Sequence, residues 1–101
     1  MDKPYIERYE LFYRDVLIGM LKVDPMTKKH HYIPNADGVH EIEDRACLLR
    51  VMREGTADFG EPIPFFDNRL RNMKRLGLHE VNYQTDFFTL REVLDLSEIN
   101  P

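Results

Sequence analysis

A stretch in the middle of the chain, Gly55 to Leu70, constrains the fold most strongly. Its two glycines favour a turn, and the prolines Pro62 and Pro64 prevent a regular element from continuing through them. A helical pattern opens directly afterwards with Phe65 and Phe66. The segments before this stretch alternate in polarity as strands do, whereas those after it are mainly polar or helical. The pattern therefore predicts a sheet in the first part of the chain and a helix that begins at the second proline.

Length and composition are typical of one folded domain. The chain has 101 residues, of which 43% are hydrophobic and 32% charged, so it can bury one core. A single domain is expected over residues 1–101, with a flexible tail at residues 97–101. The net charge of -4 argues against a general nucleic-acid binder. Neither a membrane span nor a signal peptide is expected, because no apolar run approaches the roughly 18 residues of a span. The expected location is the cytoplasm.

Residues 5–33 are expected to form an antiparallel β-meander. Leu11 and Phe12 belong to an alternating segment, so they fall on opposite faces of the first strand. The second strand, around residues 16–21, is apolar on both faces, which suits a central strand that is covered on both sides. The glycine in its middle would allow close approach by a neighbouring side chain. A third strand is expected at Lys29 to Ile33.

A helix over Pro64 to Leu76 is the clearest element of the second half. Gly77 can end it in the left-handed conformation, and Asp67 lies in the first turn, where a negative charge favours the helix dipole. We therefore predict an α+β domain, in which a small antiparallel sheet led by the meander is packed by one or two helices. The residues expected in its core are Phe12, Ile18, Leu21, Phe66, Leu70 and Met73.

Two other segments are compatible with more than one element. We favour a short helix over Gly38 to Asp44, capped by Asp37, and then an extended or loosely helical segment to Met52. A short buried strand within that second segment is the alternative. Glu80 to Thr85 is a predicted strand. A helix is predicted after it, with a strand through Phe87 to Leu90 as the competing interpretation.

The residues that could carry chemistry do not form a recognisable constellation. A metal site built on His30, His31 and His40 is not expected, because adjacent histidines in a strand point to opposite faces. Cys47 has apolar neighbours and is expected to be a buried, inert thiol. Neither a phosphate-binding loop nor a kinase catalytic motif is present, so no catalytic residue, metal or cofactor is expected. A run of carboxylates typical of a solvated face is formed by Glu41, Glu43 and Asp44.

One dense basic cluster remains, on the predicted helix. It could contact an acidic protein surface, or alternatively phosphate groups of a small anion or a nucleic acid. An ordinary solvated helix face is the competing interpretation. Because the chain as a whole is acidic, a protein partner is expected rather than a polynucleotide. The candidate partner-binding residues are Arg69, Arg71, Lys74 and Arg75.

Four segments, taken in order, resemble the N-terminal subdomain of HipA-type toxin kinases. Residues 9–21 are similar to the family's opening strand, turn and Ile/Val-Gly-x-Leu strand. Arg53 to Gly55 and then Pro64 to Asn68 are similar to its glycine turn and Pro-Phe-Phe helix start, and Asp86 to Leu90 matches its next helix. The chain departs from the family at Asn68 to Asn72, where a Leu-Leu-Pro-Glu type of segment is common.

This resemblance implies a role without catalysis. The family's N-terminal subdomain rests beside the kinase core and carries no catalytic residue. Stand-alone versions occur beside a separate kinase, and one group of them acts as an antitoxin by binding that kinase. The expectation is therefore a protein-interaction module that is not an enzyme and that regulates a HipA-type kinase.

Overall fold

The computed structural model describes residues 6–40, 42, 46–83 and 86–93. These residues form five strands and three helices. In chain order they are β1 (Glu7–Tyr13), β2 (Val16–Val23), β3 (His30–Pro34), α1 (Ala36–Val39), α2 (Ala46–Glu54), α3 (Pro64–Leu76), β4 (Glu80–Tyr83) and β5 (Phe88–Glu92). The strands make one antiparallel sheet in the order β3-β2-β1-β5-β4. The predicted α+β class is confirmed.

Strands β1, β2 and β3 follow one another as the meander that the first third of the sequence predicts. The turn between β1 and β2 consists of Arg14 and Asp15. Gly19 on β2 lies under the ring of Tyr32 on β3, so a Cβ at this position would collide with the tyrosine hydroxyl. That hydroxyl donates a hydrogen bond to the Ile18 carbonyl oxygen over 3.1 Å. The glycine therefore permits the close approach that its position in the strand suggests.

Helix α3 begins and ends where the sequence signals place its ends. Pro64 occupies the first helical position, and Gly77 ends the helix with a left-handed φ of 68°. Asp67 lies in the first turn, and Lys74 and Arg75 lie in the last, which favours the helix dipole at both ends. The helix packs against the sheet through one mainly apolar face. The buried residues of this face are Phe65, Phe66, Arg69, Leu70 and Met73.

The segment before the prolines differs from the prediction. Helix α1 covers only Ala36–Val39, and its N-cap is Asn35 rather than Asp37. Residues 46–54 form the regular helix α2, where the sequence predicts an extended or loosely helical segment to Met52. The reason is amphipathic packing: Leu49 and Met52 face the core one turn apart, while most of the polar side chains between and after them are exposed. The end of the predicted helix at residues 43–44 lies outside the described residues.

The segment after β4 is also different from the favoured prediction. Phe88–Glu92 is strand β5, as in the competing interpretation, and not the helix implied both by spacing and by the resemblance. Strand β5 pairs with β1 on one side and β4 on the other. Phe88 and Leu90 face the core, whereas Arg91, which alternation places on the opposite face of the strand, is exposed. Residues 97–101, the predicted tail, lie outside the described part.

The core lies on one face of the sheet, which we call the core face. Buried residues of all three helices belong to the same apolar cluster as the inward side chains of the strands. Ile18, Leu21, Phe66, Leu70 and Met73 are buried there, as predicted. Phe12 is not: it is half-buried and lies outside this cluster. The prediction for Phe12 is wrong because alternation places it opposite Leu11, on the other face of the sheet, which we call the outer face.

Candidate partner-binding site

The four predicted partner-binding residues do not form one surface, because Arg69 is buried. Its side chain is 5% exposed and makes an ion pair with Asp86 in the turn between β4 and β5. The Arg69 guanidinium lies 3.8 Å from the ring centroid of Phe65 and 4.5 Å from that of Tyr83. Arg69 is therefore a structural link between α3 and the second hairpin, and its assignment to a partner surface is wrong.

The remaining cations of the cluster are exposed, but carboxylates already accompany two of them. Arg71 Nε lies 3.0 Å from a carboxylate oxygen of Asp67, and Lys74 Nζ lies 3.4 Å from one of Glu7. Arg75 donates a hydrogen bond to the side-chain oxygen of Asn72 over 3.2 Å. A polyanion would have to compete with these carboxylates, so the helix surface offers little free positive charge for a nucleic acid.

The candidates for chemistry are dispersed. His30 is buried and His31 is half-buried beside the ring of Phe59, in keeping with the opposite faces expected for neighbours in a strand. Within the described part of the chain, no three His, Cys, Asp or Glu side chains are grouped so that they could hold a metal ion. Glu41, Glu43 and Asp44 lie outside that part.

Cys47 is exposed, which contradicts the expected burial. Its apolar neighbours in sequence belong to a helix, and the buried side of α2 is the one that carries Leu49 and Met52. A residue two positions before Leu49 points away from that side, because each helical residue turns by about 100°. The error follows from inferring burial from the apolar neighbours of Cys47 in sequence, without regard to the face of the helix on which it lies.

The outer face of the sheet carries a continuous group of apolar side chains. Phe12 on β1 lies opposite Leu17 on β2, and Met20 on β2 lies opposite Ile33 on β3. A β-bulge makes Ile18 an extra residue of β2, so that Leu17 and Met20 become neighbours on this face. Ile33 is 39% exposed and the other three are half-buried. We call these four residues the apolar strip.

Charged residues of both signs surround the apolar strip. Arg91 on β5 places its guanidinium 4.8 Å from the centroid of the Phe12 ring and pairs with Glu80 at 2.8 Å. Glu10 lies opposite Met20, and Lys22 lies opposite His31 at the other end. An apolar centre with a mixed polar rim is the ordinary anatomy of a surface that binds another protein.

The sequence contained part of the signal for this strip. The apolar character of both faces of the second strand was visible, and it suggested a strand covered on both sides. In the structure the helices of the described residues pack on the core face. The bulge that joins the four side chains depends on strand register, which no local pattern specifies.

None of the described helices is both long and apolar enough to span a bilayer. Comparison of the chain with family models, with curated proteins and with solved structures gave no match.

Proposed function

We propose that this chain is a protein-interaction module that binds a partner protein through the apolar strip on the outer face. The observation that carries the proposal is the continuity of Phe12, Leu17, Met20 and Ile33 across three adjacent strands. Burying apolar surface contributes about 25 cal/mol per Å², so such a group favours a partner that covers it. The mixed charges around it suit a protein surface better than a nucleic acid, which would need uncompensated cations.

The partner that we propose is the core of a HipA-type kinase, for which the chain acts as an antitoxin or regulator. This part of the proposal rests on the resemblance in residues 9–21 and in Pro64 to Asn68. Two features of the fold are compatible with it: the first of these segments is a strand–turn–strand unit, and the second opens a helix at its proline. In this role the chain contributes contacts and no catalytic group.

The proposal is tested by titrating the purified chain into a HipA-type kinase core that lacks its own N-terminal subdomain. Isothermal titration calorimetry measures binding, and autophosphorylation of the kinase measures regulation. Ile33→Glu and Met20→Glu each put a charge into the apolar strip and should weaken binding at least about tenfold.

Met26→Glu is the matched control. Met26 is an apolar side chain that is 86% exposed in the turn between β2 and β3, outside the strip. The same change there should leave binding within about twofold. Absence of binding by the parent chain would remove the kinase as partner. Binding that Ile33→Glu and Met20→Glu leave intact, in variants shown to be folded by circular dichroism, would remove the apolar strip as the site.

A further inference from the structure

A cleft opens between α3 and the turn that joins β2 to β3, away from the apolar strip. Its volume is about 370 Å³, within the range of small-molecule sites. Its walls are partly apolar, from Val23, Pro62 and Leu70, and its charged side chains come from both flanking elements. The charged or titratable residues that line it are Lys28, His30, Asp67, Arg71 and Lys74.

His30 is the most buried polar residue that lines this cleft. Only 2% of the residue is exposed, and its Nδ1 accepts a hydrogen bond from the Ile63 N–H over 3.0 Å. An Nδ1 that accepts carries no proton, so the neutral ring has its proton on Nε2. Burial lowers the pKa of His30, although the nearby Asp67 carboxylate opposes this shift. The ring therefore remains a neutral donor at neutral pH.

The Nε2–H of His30 is a donor without a partner in the described part of the chain. No hydrogen bond of the described residues includes this nitrogen. Among the described residues, Arg69 Nε is the one side-chain nitrogen or oxygen that is both completely buried and without a hydrogen-bond partner. His30 Nε2 also has no partner, so it must retain some contact with solvent. Since His30 lines the cleft, we infer that this accessible nitrogen meets the cleft space. A buried donor left open in this way needs an acceptor from water or a ligand.

The charges of the cleft are positive on balance. Three cations and one carboxylate line it. Arg71 pairs with Asp67, and Lys74 pairs with Glu7 outside the lining. Lys28 makes no ion pair with any residue that the structure describes, so it supplies one uncompensated positive charge. One free cation with one open donor favours a single anionic group rather than a polyanion.

We propose that this cleft binds a small molecule that carries one oxyanion, a carboxylate or a phosphate monoester, on a short apolar body. The oxyanion accepts a hydrogen bond from His30 Nε2–H and pairs with Lys28, while Arg71 contacts it from the rim. The apolar body lies against Val23 and Leu70. Because α3 packs on the core face and the apolar strip lies on the outer face, this site can be filled whether or not a partner protein is bound.

Two-dimensional NMR of the labelled chain tests the proposal, with inorganic phosphate, acetate, phenyl phosphate and benzoate as the probes. We expect saturable shifts of the Ile63 amide and the His30 ring signals. The phenyl-bearing anion should bind at least about threefold more tightly than its bare counterpart, because the apolar walls take the ring. Comparison of phenyl phosphate with benzoate shows which oxyanion the site prefers.

Variants separate the site from unspecific charge effects. His30→Asn keeps an acceptor for the Ile63 N–H and removes the Nε2 donor, so it should weaken binding at least about tenfold. Lys28→Gln, at an exposed turn position where folding is not at risk, should weaken binding several-fold and reduce its salt dependence. Arg75→Gln removes an exposed cation of α3 that does not line the cleft and should have no effect. Shifts that do not saturate with any probe would overturn the proposal, and so would binding that Lys28→Gln leaves unchanged.

Discussion

The buried ion pair between Arg69 and Asp86 provides a direct test of how α3 is attached to the second hairpin. The two side chains are 5% and 14% exposed. The Arg69 guanidinium also packs against Phe65 and Tyr83 and donates to the Phe65 carbonyl oxygen. Asp86 accepts a further hydrogen bond from the Phe88 N–H. Removing either charge leaves the other one unpaired and poorly solvated. The desolvation penalty of this unpaired charge sets the expected loss of stability.

Arg69→Met keeps an unbranched apolar stem between the two rings, and Asp86→Asn keeps an acceptor for the N–H group. Each change should lower the free energy of unfolding by about 3 kcal/mol, because it leaves an unpaired charge at low exposure. Asp86→Asn should have the larger effect, since the guanidinium is the more buried partner. The double variant should be at least about 1 kcal/mol more stable than the sum of the two losses predicts. Urea denaturation followed by circular dichroism measures all three.

The Arg71–Asp67 pair on the same helix is the control. Its side chains are 80% and 33% exposed, and it has the common i,i+4 spacing of helix ion pairs. Arg71→Met should therefore cost no more than about 0.5 kcal/mol. Should Arg69→Met and Asp86→Asn cost as little as this control, with losses that simply add, the pair would behave as a surface pair and our reasoning would be refuted.

Two further predictions concern the packing around β2. In a comparison of the glycines, Gly38→Ala should destabilise by about 3 kcal/mol or more, because its Cβ would collide with the Leu17 carbonyl oxygen. Gly60→Ala should change the midpoint of urea unfolding little, since nothing lies within 4 Å of a Cβ there; equal effects of the two would contradict this packing. Burial raises the pKa of Tyr32 well above the value of about 10 for the unfolded chain, so the contribution of this residue to stability should be constant below that pH and fall as pH rises above it. Tyr32→Phe should lose roughly 1 kcal/mol at pH 7 but show a weaker alkaline decline, and an unchanged decline would count against the assignment.

Signals that are local in sequence predicted their elements well. Pro64 begins α3 because its missing N–H costs nothing at the first helical position, where an N–H has no partner within the helix. Gly77 ends the helix because it readily adopts a left-handed φ. The turn at Arg14 and Asp15 lies where two alternating segments meet. The core residues of α3 follow from helical spacing alone.

Features that depend on distant partners could not be predicted in this way. Phe87, Leu90 and Val93 have the spacing of a helix face, yet Phe88–Glu92 is a strand because β1 and β4 supply hydrogen bonds on both of its edges. Arg69 has the sequence environment of an exposed helical residue, and only the approach of Asp86 makes its burial possible. His30 gives no sign in the sequence that its Nδ1 accepts a hydrogen bond from the Ile63 N–H and that the residue lines a cleft.

The position of β5 also decides which kind of protein contact the sheet can offer. With β5 beside it, β1 is the central strand, and the edges of the sheet are β3 and β4. The outward N–H and C=O groups of His30 pair with Gly60, and those of Tyr32 pair with the backbone N–H and hydroxyl of Thr56. Strand β4 has only four residues. Short or covered edges discourage addition of a strand from another protein. A partner of this sheet would therefore meet its outer face, where side chains rather than backbone groups determine affinity, and this is why the strip variants are the decisive ones.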